Sequence, residues 1–191
     1  ILNTTANIVG VNITSFSVFA PFGKTLPLNI TVNKTVWDPN SGKWVEGIND
    51  AKIGDTYRFK CNITNTGSSN LTNITVWDIL SPSMAYADEA VLTTPAGTTW
   101  GIEPPTSTET GPNGDIITWI IDNYLPSPLT LLVGQSLTIE FNATVVNYGM
   151  DINTQFAKGW SPAVKAWAVD NDTAYINTPK SDIVVSDITI N

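Results

Sequence analysis

Any chemistry in this chain has to come from a short inventory of reactive side chains. There is no histidine, which removes Ser-His-Asp and Cys-His nucleophile systems and histidine-bearing zinc sites. A single cysteine, Cys61, excludes an intramolecular disulfide framework. Lys34 stands on an early β-prone stretch. An amine there could condense with a late asparagine, Asn147 or Asn177, into an intramolecular isopeptide bond, with a buried Asp or Glu carrying the proton. The plain alternative is a lysine that snorkels to solvent beside Asn33. Val169-Asp170-Asn171-Asp172-Thr173 brings two carboxylates and an amide together, a set that suits Ca²⁺ if Asp151 or Asp88 folds beside it. The stretch lacks EF-hand spacing, and short acidic turns are usually just solvated. Asp170 and Asp172 are therefore the metal candidates, and no other cofactor is implied.

Trp37, Trp44 and Trp77 fall on neighbouring predicted strands, where exposed aromatic rows could stack on sugar rings; ordinary strand packing is the alternative. Carboxylates for glycoside hydrolysis can be nominated in any acidic chain, but none here sits in a motif. The expectation is a protein without enzyme activity.

The most frequent motif is N-x-S/T. It occurs at Asn3, Asn12, Asn29, Asn33, Asn62, Asn70, Asn73, Asn142 and Asn171. Asn62 alternates with Cys61 and Ile63, and Asn142 with Phe141 and Ala143, so both point away from the apolar side. N-linked glycans need that placement, and the chain reads as a glycoprotein.

The elements that must hold these residues are strands. Tyr57, Phe59, Cys61 and Ile63 alternate with Arg58, Lys60, Asn62 and Thr64, a period of two. The turn formers at 65–70 separate this strand from a second at 71–79, which Pro82 follows. Leu137, Ile139, Phe141, Ala143 and Val145 give the clearest alternation in the chain. Residues 28–37 and 44–45 read as a hairpin around the turn at 38–43. Further strands are expected at 84–94, 116–121, 156–169, 174–177 and 182–190, with a loop at 98–114. No stretch keeps a 3.6-residue period, and strands spaced by turn clusters predict an all-β, immunoglobulin-like antiparallel sandwich. Phe59, Cys61, Ile63, Val76, Trp119, Ile139, Phe141 and Val145 are its expected core.

Residues 51–88 carry a family resemblance. Gly54-Asp55-Thr56-Tyr57 opens a strand, Asn65-Thr66-Gly67 turns the corner, and Thr75-Val76-Trp77-Asp78-Ile79-Leu80-Ser81-Pro82 matches a V-x-D-x-L-P run. With Val32-Asn33-Lys34-Thr35-Val36 upstream and 132–145 downstream, the chain resembles the conserved-repeat immunoglobulin-like domain of archaeal and bacterial surface proteins. The versions in methanogenic archaea are the most similar. The match covers roughly residues 28–168, and Val133-Gly134 replaces the family's Pro-Gly turn. The resemblance implies an extracellular structural or adhesive role and transfers no catalytic residues.

Composition agrees with that setting. Charged residues are only 14% of the chain, with Ser, Thr and Asn as the polar surface, and the net charge is −8. Nucleic acid is excluded as a partner by charge, and no apolar run is long enough to span a membrane. The opening Ile1-Leu2-Asn3-Thr4-Thr5 has no basic or apolar leader and reads as a mature, processed chain.

Two parts are expected: a β-prone arm at 1–26 and the sandwich at 27–191. The arm's residues 7–19 would span about 40 Å as a strand, enough to cross a sandwich. Val9, Val11 and Ile13 would be buried if a neighbouring copy accepted the arm into an open sheet. Residues 182–190 are a shorter donor candidate. The reading is an extracellular, glycosylated subunit of an archaeal surface filament, a homopolymer joined by strand exchange. The alternatives are an adhesion or carbohydrate-binding module, or a surface-layer component.

Overall fold

The two stretches with the strictest alternation lie side by side in the middle of one sheet. Thr56–Thr64 and Ser136–Val145 pair antiparallel, from Thr56↔Thr144 to Thr64↔Ser136. The pleat sends Tyr57, Phe59, Cys61 and Ile63, with Leu137, Ile139, Phe141, Ala143 and Val145, to one face, and all are buried.

This computed structural model describes residues 27–180. The arm at 1–26 with Val9, Val11 and Ile13, the sequons Asn3 and Asn12, and the closing strand expected at 182–190 lie outside the described residues. In chain order the strands are β1 (Thr31–Asp38), β2 (Lys43–Val45), β3 (Gly47–Ile48), β4 (Thr56–Thr64), β5 (Thr72–Ile79), β6 (Met84–Tyr86) and β7 (Val91–Thr93). They continue as β8 (Thr99–Gly101), β9 (Ser107–Gly111), β10 (Gly114–Ile120), β11 (Ser136–Val145), β12 (Gly149–Ser161) and β13 (Ala166–Thr178). A single 3-10 turn at Ile121–Tyr124 follows β10.

One sheet runs β9-β10-β5-β12-β13-β3, the other β2-β1-β4-β11-β7-β8, with β6 also paired to β11. Every pairing is antiparallel except the short β13–β3 contact. The core between the sheets holds Phe59, Phe141, Trp119, Ile74, Val76, Ile117, Leu92 and Ile176, and every expected core residue is buried. Aromatic packing runs through it: Phe59 and Phe141 stack with ring centroids 5.6 Å apart, and Trp119 lies 5.4 Å from Phe141.

Three expectations are corrected. The strand expected at 84–94 is two strands, because Asp88 and Glu89 adopt φ of 61° and 60° and break it. β6 and β7 then pair with opposite ends of β11. The loop expected at 98–114 contains β8 and β9. The strands expected at 156–169 and 174–177 belong to one long hairpin, β12 and β13, turning at 162–165. Gly114 closes the β9–β10 hairpin at φ +115°, where a Cβ would sit 1.6 Å from the Leu80 carbonyl oxygen.

Candidate functional site: a buried lysine between the sheets

Lys34 shares its strand phase with Val32 and Val36, so the pleat that buries the valines buries the lysine too. Its side chain is 0% exposed. The Nζ donates to Asp78 Oδ2 and, at 3.4 Å, to Gln155 Oε1. It also lies 4.9 Å and 5.0 Å from the ring centroids of Phe59 and Phe141. The amine is thus held by one carboxylate, one amide oxygen and two π faces, with water excluded.

The facing groups come from the other sheet. Asp78 follows Ile74 and Val76 in the inward phase of β5. Gln155 lies directly opposite it in the β12–β5 register. Asn153 is the preceding inward residue of β12, and Asp151 the one before that. All four are buried. Asp151 is used by Ser81, whose Oγ donates to Oδ1. The Asn153 amide lies beside the Asp78 carboxylate. Yet neither Nδ2 nor Oδ1 of Asn153 reaches hydrogen-bond geometry with any partner. Asp78 Oδ1 and Gln155 Nε2 are likewise unpartnered. An orphaned buried polar group costs about 1–3 kcal/mol, so this is an expensive place in the core.

Desolvation dominates the electrostatics. Burial pushes the Asp78 carboxyl above its ordinary range, while the Lys34 charge and its hydrogen bond pull it back down. Cys61, opposite Lys34 in the β1–β4 register, is raised mainly by burial, and its thiol stays protonated.

Asn147 is exposed on the 146–148 turn, and Asn177 occupies the outward phase of β13. Neither faces Lys34, so the amide the fold brings to the lysine is not one of the two expected. Asp78 and Lys34 carried a readable signal, since each interrupts a run of in-phase apolar residues. Asn153 and Gln155 carried none, because their phase is polar from Asp151 to Gln155.

Asp170 and Asp172 are not arranged around a cation. Each carboxylate accepts a backbone N–H from β1, Asp170 from Val32 at 2.9 Å and Asp172 from Lys34 at 2.8 Å. Among the described residues no cluster of three or more Asp, Glu or Cys is placed to hold a metal.

The three expected platform tryptophans do not share a face. Trp37 and Trp44 form an edge-on pair, centroids 5.4 Å apart, in the β1–β2 hairpin. Trp77 is on the other sheet, stacked on Phe156 at 5.2 Å with an interplanar angle of 2°. Beside it Trp160 and Trp167 pair at 5.4 Å, and Lys158 lies over both Trp77 and Trp167. Of the described sequons, Asn29, Asn33, Asn70, Asn73 and Asn171 are exposed, and Asn62 and Asn142 half-buried. A cleft of about 480 Å³ at one end of the sandwich is lined by residues including Thr94, Trp100, Leu125, Pro126 and Gln135, with no ionisable side chain.

Two antiparallel-rich sheets closed over one core define the class: an immunoglobulin-like β-sandwich. Among solved structures the chain is similar to BcpA, the major pilin subunit of Bacillus cereus. That match has TM-score 0.53 and 10% identity, and it covers 78% of this chain and 40% of that one. It is also similar to the full-length major pilin SpaD from Corynebacterium diphtheriae, with TM-score 0.53, 14% identity, and 76% and 35% covered. Domains D2 and D3 of SpaD match at TM-score 0.51 and 15% identity, with 76% and 51% covered. The likeness is one of fold, and the chain spans roughly a third to a half of those proteins' lengths. No family model and no curated protein matches the sequence.

Proposed function

We propose that this chain is a glycosylated structural subunit of an extracellular surface fibre, of the archaeal conserved-repeat type that its motifs resemble. The observation that carries the reading is the sandwich itself, which resembles two major pilins in fold and turns every described sequon to an outward strand face or a loop. Copies of the same chain are the partners, joined head to tail, with the arm at 1–20 entering a neighbour's sheet edge. A heterologous contact of that kind grows as an open filament.

Negative-stain microscopy of native material tests the reading. Fibres are expected; dispersed monomers or two-dimensional lattices overturn it. Deleting residues 1–20 tests the joint: a folded monomer that still polymerises normally excludes the arm as donor.

A second reading rests on the outer face of the β5–β12–β13 layer. Trp77, Phe156, Trp160 and Trp167 cluster there with Lys158, the kind of surface on which sugar rings stack. Specific micromolar binding on a glycan array, lost in Trp167→Ala, would favour an adhesive module.

A further inference from the structure

We propose that Lys34 and Asn153 condense into an intramolecular isopeptide bond, with Asp78 as the acid–base group of the reaction. The proposal stands on the buried cluster alone and does not depend on fibre formation.

The cluster is poorly explained as a finished ion pair. Buried charges are retained where they are paired and their remaining hydrogen-bonding capacity is filled. Here Lys34 has one carboxylate and one long contact to Gln155, and the rest of its surroundings are aromatic rings. Asp78 leaves one oxygen unused, and the Asn153 carboxamide is buried with neither polar atom bonded. As reactants the same groups are coherent. Transfer of one proton from the ammonium to the carboxylate discharges both buried groups and leaves a free amine beside a carboxylic acid. The unbonded amide is then an acyl donor lying against that acid.

The step balances within the three residues. The ammonium of Lys34 passes one proton to Asp78. The neutral Nζ attacks Cγ of Asn153, and Asp78 protonates Oδ1 as the carbon becomes tetrahedral. Asp78 next takes a proton from Nζ and delivers it to Nδ2. The Cγ–Nδ2 bond breaks, ammonia leaves, and the Oδ1 proton returns to Asp78. One C–N bond forms and one breaks, nothing is oxidised or reduced, and no other reactant is needed. The products are a neutral amide and a neutral acid, so the reaction removes both the buried charges and the orphaned NH₂ group.

Gln155 offers a second carboxamide, but its oxygen already accepts from Nζ. That contact aims the amine. Asn153, with the shorter side chain and both polar atoms unengaged, is the acceptor. The bond ties β1 of one sheet to β12 of the other across the core. Tension on the chain ends would then pass through a covalent strut and bypass the strands between.

Mass spectrometry of the full chain, produced in a bacterial cytosol without N-glycosylation and then denatured, decides the matter. The expected mass lies below the sequence mass by one ammonia, about 17 Da. A succinimide at Asn113-Gly114 would lose the same mass, so digestion must yield a branched peptide joining Lys34 to Asn153. Asp78→Asn, which keeps both reactants and removes the acid, is expected to restore the full mass. An unbranched Lys34 peptide in the wild type overturns the proposal, and so does a branch to Gln155. The wild-type digest is decisive even if the variant fails to fold.

Discussion

The Asp172 carboxylate accepts the backbone N–H of Lys34 at 2.8 Å. The same residue is therefore held by two acids, its main chain by Asp172 and its side chain by Asp78. Asp170 repeats the main-chain contact with Val32. These N–H groups point away from β4, on the part of β1 that β2 does not reach, since β2 pairs only with Val36, Trp37 and Asp38. An exposed strand edge invites pairing with another chain, and the two carboxylates blunt this one. They also fix where β13 crosses the sandwich edge, so this acidic stretch of β13 is a structural clasp between the sheets.

Replacing both clasps, Asp170→Ala with Asp172→Ala, leaves two donors without their partners. Urea unfolding should show a loss of about 1–3 kcal/mol, and sedimentation should show more self-association at high concentration. An unchanged midpoint would mean that water replaces the carboxylates at no cost.

Phe141 stacks on Phe59, touches Trp119 and forms one wall of the Lys34 site. Phe141→Ala should destabilise the domain by about 3–5 kcal/mol in chemical denaturation. A loss below about 1 kcal/mol, the range of surface positions, would be incompatible with this packing.

Tyr57 carries a pH signature. Burial, then its hydrogen bond to Asp55, pushes the phenol up to about 12 from an ordinary value of 10.0. The folded state therefore holds this proton more tightly than the unfolded chain does. The resulting stability is fully present below pH 10 and is lost as the pH rises towards 12. Tyr57→Phe should flatten that part of the decline when unfolding midpoints are compared from pH 9 to pH 12. Equal slopes in the two proteins would remove Tyr57 as a contributor.

Glycan occupancy should follow exposure. Asn33, Asn70, Asn73 and Asn171 are exposed, whereas the Asn142 amide donates to Glu89 at 2.7 Å and the Asn62 amide to Thr64 at 3.3 Å. Glycopeptide mapping of native protein should find the first group more fully occupied than Asn62 and Asn142. An intact native mass equal to the bare 20.6 kDa chain would exclude glycosylation altogether.

Local pattern alone determined the sandwich. Alternation at 57–63 and 137–145 is a direct record of which side of a pleat meets the core, and those residues are buried as their phase requires. The same phase places Lys34 and Asp78, both polar, among buried apolar residues. The start of β12 escaped the same reasoning because its pattern is inverted: Met150 and Ile152 face outward, and Asp151, Asn153 and Gln155 face inward. A strand read for apolar residues inside is misread wherever buried polar groups answer a charge on another strand. Lys34 and Gln155 are 121 residues apart, and only the register of β12 against β5, with β1 laid across from both, brings the Gln155 amide to the amine. Sequence distance carries no such information, so the surroundings of the amine were decided by the tertiary fold.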